Sequence, residues 1–314
     1  MSVNIISIKA LYKEYRNYQT NGSLVALNHV DLEIPEGSFF GLLGPNGAGK
    51  STIINILAGI TNKTSGSCMV NGYDLDIDPI KVKLSLGIVP QEIVCDPFFT
   101  VRQTLNNYAG YFGVSKNRRK TDEIINALDL TDKADAPSRS LSGGMKRRLL
   151  IAKALVHQPK ILILDEPTAG VDIELREQLW QYVLKLNQDG TTIILTTHYI
   201  EEAEKLCEYI AIINHGSIIA NDKKEDLLVL FREKILTIEF DGFQSHVIDM
   251  EYLERLGGQI KENKLIIKYT DKKYLDELIK YIVATHLIVT NITSTETKLE
   301  DVLKGLIRKD KVEI

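Results

Sequence analysis

The run Gly44-Pro-Asn-Gly-Ala-Gly49-Lys50-Ser51-Thr52 fits the pattern G-x-x-x-x-G-K-S/T and stands between an apolar stretch, Ser38–Leu43, and a helix-like one, Ser51–Ile60. That context constrains the fold more than any other feature of the chain. A buried strand has to deliver the loop and a helix has to leave it, which calls for an α/β sheet. The glycines let backbone N–H groups turn inward and approach crowded negative charge, and the helix adds its positive N-terminal end. Gly44, Pro45, Asn46, Gly47, Ala48, Gly49 and Thr52 are therefore expected to cradle phosphates. Lys50 supplies a cation to the β- and γ-phosphates and Ser51 offers its hydroxyl to Mg²⁺. Each charge-assisted hydrogen bond contributes roughly 1.5–3 kcal/mol, so several together give useful nucleotide affinity.

A second site follows the continuous apolar run Ile161–Leu164, where Asp165-Glu166-Pro167 places two acids at a strand's carboxyl end. Open α/β sheets bind ligands at that end. Asp165 is positioned to hold Mg²⁺ directly or through water, and Glu166 to polarise the water that attacks a γ-phosphate. Alone, such a pair would equally suit a solvated strand end; the phosphate loop earlier in the chain tips the balance.

Strand patterns cover 3–10, 24–34, 38–43 and 85–90, and resume at 161–164, 191–196, 210–214 and 217–220, the last two as a hairpin around His215-Gly216. Between them, from about 96 to 145, helical spacing dominates, as in Val101–Phe112 and Lys120–Leu130. Helices are also predicted at 173–187 and 201–207. After about residue 230 the texture changes, with strand-like Ile235–Phe240 and Leu265–Tyr269 alternating with helix-like Tyr274–Val283 and Lys298–Ile307. The expected organisation is a main α/β domain at 1–220, a linker at 221–231 and a small α+β domain at 232–314.

With 44% hydrophobic and 25% charged residues, the chain has ample material for a core. A net charge of -4 argues against a protein that wraps nucleic acid. No apolar run approaches the roughly 20 residues of a membrane span. Met1–Ala10 lacks the character of a signal peptide, and Cys68, Cys95 and Cys207 are too scattered for a zinc or disulfide framework. These features fit the cytoplasm.

Between the two sites, Leu141-Ser142-Gly143-Gly144-Met145-Lys146-Arg147-Arg148 resembles the signature of the ATP-binding cassette (ABC) ATPases, which begins LSGG. The resemblance runs in the family's order through residues 1–220. Gln91 after Ile88-Val89-Pro90 resembles the Q-loop glutamine, Ala169-Gly170-Val171-Asp172 the D-loop, and His198 after Thr196-Thr197 the switch histidine. Tyr15 resembles the aromatic residue that stacks on adenine, with Tyr12 and Tyr18 as rivals. The commonest signature continues LSGGQ, and Met145 cannot supply the amide hydrogen bonds of Gln. LSGGM followed by basic residues resembles a bacterial exporter subgroup. Lys298-Leu299-Glu300-Asp301-Val302 resembles a run that closes many exporter ATPases of the type-two ABC group.

The resemblance implies a P-loop NTPase cassette with a mixed sheet core, an antiparallel β subdomain and a helical insert. It implies ATP and Mg²⁺, with Lys50, Gln91, Glu166 and His198 in hydrolysis. Ser51, Gln91 and Asp165 would attend the metal. Ser142, Gly143 and Gly144 would complete the site of a second cassette, hence a homodimer. Separate integral membrane permease subunits are implied, with this chain bound peripherally at the cytoplasmic face of the cell membrane and no nucleic acid partner. A coupling helix of the membrane subunit would dock near Asp96-Pro-Phe-Phe-Thr100; whether Phe98 and Phe99 are exposed or core stays open. An importer ATPase is the rival reading. Repair or translation ATPases of this family carry coiled coils, zinc cysteines or two cassettes, none of which the sequence shows.

Overall fold

The computed structural model describes residues 3–17, 22–168, 173–230, 234–241, 258–261, 264–269, 277, 280, 288–295 and 298–310. The chain begins with β1 (Asn4–Asn17), β2 (Gly22–Pro35), β3 (Phe39–Leu43), α1 (Lys50–Leu57), β4 (Ser65–Val70), β5 (Tyr73–Asp74), α2 (Pro79–Ser85) and β6 (Leu86–Val89). A helical stretch follows: α3 (Val101–Tyr111), α4 (Thr121–Ala127) and α5 (Gly143–Leu155). Then come β7 (Ile161–Asp165), α6 (Ile173–Gln188), β8 (Thr192–Thr196), α7 (Ile200–Leu206), β9 (Tyr209–Asn214), β10 (Ser217–Lys223) and α8 (Lys224–Leu230). By its contacts the chain divides into Met1–Lys224 with Lys309–Ile314, and Glu225–Arg308.

In the first unit, six strands form one sheet in the order β10-β9-β3-β8-β7-β6. All neighbours are parallel except the β9–β10 hairpin. Every residue of β3 and β8 is buried, and so are Ile161–Leu164 of β7. Such continuous apolar runs suit a parallel sheet covered on both faces. The parallel arrangement has a consequence for function. The loops after β3, β6, β7 and β8 all leave from carboxyl ends, so Gly44, Gln91, Glu166 and His198 are delivered to the same edge. A second, antiparallel sheet has the order β2-β1-β4-β5.

Several elements depart from the sequence pattern. β1 runs on to Asn17, past the expected end near residue 10, because register shifts between Ile8 and Glu14 interrupt its alternation. Ala10 sits there at φ 46°. Residues 65–85, for which the pattern predicts no element, form β4, β5 and α2. The helical stretch extends beyond 145, since α5 continues to Leu155 and buries Leu149, Leu150, Ile151 and Ala152. The 221–231 stretch, expected as a linker, holds the end of β10 and then α8. The helix expected at Tyr274–Val283 lies outside the described residues except for Glu277 and Lys280, which are helical.

The second unit contains β11 (Lys234–Asp241), β12 (Gly258–Lys261), β13 (Lys264–Tyr269), β14 (Ile288–Thr295) and α9 (Leu299–Asp310) up to Arg308. Its sheet has the order β12-β13-β11-β14 and is antiparallel in each of these pairings. Leu236, Ile238 and Phe240 are buried at alternate positions of β11, as are Leu265 and Ile267 of β13. That period of two marks one buried face. Among the described residues, no helix is long and apolar enough to cross a membrane.

Candidate functional site

The loop after β3 is shaped by close approach. A Cβ on Gly44 would lie 2.2 Å from the carbonyl oxygen of Ile213 on β9. Gly49, at φ +116°, brings the chain into α1 where a Cβ would meet Leu27 Cδ2 at 2.8 Å and the Ala26 carbonyl at 2.9 Å. Lys50 is the first residue of α1 and is buried. Its Nζ donates to the carbonyls of Gly44 at 2.7 Å and Pro45 at 3.0 Å. Burial lowers the Lys50 pKa, and the charges of Glu166 and Asp165 oppose that effect.

Asp165 ends β7 opposite Thr196 of β8, whose hydroxyl donates to the Asp165 carboxylate. Glu166 then turns into the left-handed region, at φ 46°. For a residue with a side chain, such a backbone costs of order 1–3 kcal/mol and persists only where its surroundings fix it. Here the Glu166 N–H donates to the Thr196 carbonyl at 3.0 Å and to its hydroxyl at 3.3 Å. Glu166 Oε2 in turn accepts from Gln91 Nε2 at 2.9 Å and lies 3.3 Å from His198 Nδ1. Gln91, Glu166 and His198, which come from the loops after β6, β7 and β8, therefore converge on one oxygen.

These groups face a cavity of about 660 Å³ lined by loop residues 46–52, by Gln91, Glu166 and His198, and by Tyr15, Leu24, Val25 and Ala26 of β1 and β2. A larger hollow of about 890 Å³, lined by Lys120, Tyr182 and Lys185 among others, holds none of them. Tyr15 is the tyrosine that lines the site. Tyr12 instead stacks on His29 with ring centroids 5.2 Å apart, and Tyr18 lies outside the described residues. Ser51 is exposed at the start of α1, and Asp165 is half-buried. Ser142, Gly143 and Gly144 do not line this cavity. They open α5, where the Ser142 hydroxyl caps the helix by accepting from the Met145 N–H at 3.2 Å. The expected D-loop, 169–172, lies outside the described residues.

Two features around the site have no motif to announce them. Arg147, within the basic run after the signature, is buried and bonds to the backbone of 90–91 and 165–167. Glu202 of α7 is also buried, accepting from Thr168 Oγ1 at 2.8 Å and Thr197 Oγ1 at 3.0 Å. It thereby ties the end of the carboxylate loop to the residue before His198. In sequence, Arg147 stands within the basic run Lys146-Arg147-Arg148, and only its helical spacing with Leu150 and Ile151 hints that it turns inward.

A glycine-lined phosphate loop, a lysine at the helix start and a glutamate at the neighbouring strand edge define a P-loop nucleotide hydrolase with a helical stretch beside its sheet. A family model described as "ABC transporter" matches residues 27–169. The Nod factor export ATP-binding protein I of Cupriavidus pinatubonensis is 39% identical over 226 residues, 71% of this chain and 68% of that protein. The linearmycin resistance ATP-binding protein of Bacillus subtilis is 40% identical over 66% of this chain and 67% of its own length. A dimeric ATP-binding cassette, solved in a post-hydrolysis state with ADP and Pi, superposes with a TM-score of 0.62 at 29% identity. That match covers 69% of this chain and 98% of the solved one. The chain belongs to the ABC transporter family, as an ATP-binding, ATP-hydrolysing subunit.

Proposed function

We propose that this chain hydrolyses ATP as a homodimer at the cytoplasmic face of the cell membrane and so powers export through a separate membrane-spanning subunit. The convergence of Gln91 and His198 on the Glu166 carboxylate, beside the Lys50 loop, is the observation that carries the reading. Glu166 polarises the attacking water, and Gln91 and His198 hold its carboxylate in line. His198 also steadies the γ-phosphate. Lys50 exchanges its bonds to the Gly44 and Pro45 carbonyls for phosphate oxygens, and α1 contributes its positive end. Tyr15 offers its ring to adenine.

Ser51, Gln91 and Asp165 present oxygen donors, which suit Mg²⁺ better than a softer metal. When bound, the ion neutralises charge on the transferring phosphoryl group. The names of the relatives support export as the direction of transport. The position of Ser142–Gly144 outside the cavity supports their service to a second copy's nucleotide.

Docking of the membrane subunit is favoured by the surface after Gln91. Phe98 is 80% exposed, Val94 66% and Tyr111 81%. Val94 also lines a groove of about 450 Å³, with Tyr108, Phe112 and Leu150 among its other walls. Exposed apolar side chains near an apolar groove suit an interaction site.

The test is Glu166→Gln, which keeps the shape but not the base. It retains ATP binding while kcat falls by about 10²–10⁴-fold, the usual worth of a general base. Turnover close to that of the unmodified chain would remove Glu166 from the chemistry.

A further inference from the structure

Arg147 sits in the second turn of α5, the helix that Ser142 caps. It is 2% exposed. A guanidinium carries five N–H donors in a rigid fork, and all of them meet backbone carbonyls. Nε donates to Pro167 at 2.6 Å, and Nη1 to Pro90 at 2.8 Å and Gln91 at 2.9 Å. Nη2 donates to Asp165 at 3.2 Å and, still closer, to Glu166. One side chain thus takes the backbone on either side of both Gln91 and Glu166, two residues far apart in sequence whose side chains bond each other.

We propose that Arg147 is a positioning residue for hydrolysis. By holding the 90–91 and 165–167 carbonyls together, it fixes the distance between Gln91 and Glu166 and keeps Glu166 in its left-handed backbone. Because it rides on the helix that begins at the signature, it also links the signature of each chain to the catalytic carboxylate of that same chain. This rests on the reading of Glu166 as the base. It also explains why the basic run after LSGGM contains a buried member. The neighbouring Arg148 does something different, since it reaches the Leu128 and Asp129 carbonyls of the helical stretch.

Nothing about Arg147 touches the phosphate loop, so its loss should separate binding from turnover. Lys keeps the charge but has three donors at one point and cannot span five carbonyls. The experiment compares Arg147→Lys and Arg147→Gln with the unmodified chain and with Glu166→Gln, by ATPase kinetics, nucleotide binding and thermal melting. The expected result is a kcat roughly 100-fold lower with nucleotide Kd within about threefold of the unmodified value. Turnover within about threefold of normal in the Lys variant overturns the proposal, and so does a parallel fall of kcat and affinity, which is the mark of a structural staple. Failure of both variants to fold counts against it for the same reason. If Glu166→Gln itself stays active, the reading of the base has failed, and that result is distinct from an active Arg147→Lys beside an inactive Glu166→Gln.

Discussion

Gly44 is the tightest point of the site. Its hydrogen side faces the Ile213 carbonyl so closely that a single methyl would overlap it by more than an ångström of normal contact. Backbone rather than a flexible side chain stands in the way, so relief requires β3 and β9 to part. Gly44→Ala is therefore expected to destabilise the fold by about 1–3 kcal/mol, as overpacking does. Thermal melting checks this, and an unchanged melting temperature would show that the loop yields without cost. At this scale the sequence was informative about residue types and silent about their meeting. The phosphate loop was legible because its glycines and lysine are local. The Gln91–Glu166 bond spans 75 positions and became visible only once β6 and β7 lay side by side. Arg147 was illegible for a related reason: its burial is produced by packing of α5 against loops that are distant in sequence.

The elements most readable from the sequence are those with short uninterrupted apolar runs, β3, β7 and β8, whose length and flanking Gly, Pro and polar residues mark strands buried on both faces. The antiparallel sheet was harder. β4, Ser65–Val70, opens with Gly66 between two serines and alternates only weakly, and β5 is two residues long. In β1, the bulges break the alternation that would have marked its full length. The helix α3 starts at Val101, where the spacing predicts it, and ends one residue earlier than predicted. Thr100 and Gln103 form a reciprocal capping box there, with the Gln103 N–H donating to Thr100 Oγ1 at 3.2 Å and the Thr100 N–H to Gln103 Oε1 at 3.0 Å. The box holds the preceding Phe98 and Phe99 on a defined helix entry. The sequence left open whether those rings are core; both are exposed. Phe98→Ala is expected to abolish most transport in the assembled complex while basal ATPase activity stays unchanged. Vesicle transport assays alongside ATPase assays decide this, and full transport by the variant would move the docking surface elsewhere.

For the molecule as a whole, the resemblance that the motifs carry implied a mixed sheet core, and its parallel strands gather the site's loops at one edge because their carboxyl ends lie together. The second unit carried no such motif, and its sheet follows from alternation in β11 and β13 alone. The central claim concerns two chains rather than one. Lys50 and Glu166 line the cavity, whereas Ser142–Gly144 lie on the start of α5 outside it, so a complete site is taken to need the signature of a second copy. Mixing tests this directly. A Lys50→Ala chain has a defective loop and an intact signature; a Ser142→Arg chain has the reverse. Each alone is expected to be inactive. Mixed dimers contain one site built from the intact loop of one chain and the intact signature of the other, so ATPase activity should rise well above the sum of the separate variants. If the mixture hydrolyses no more ATP than its parts, each chain completes its own site and the two-chain account is wrong.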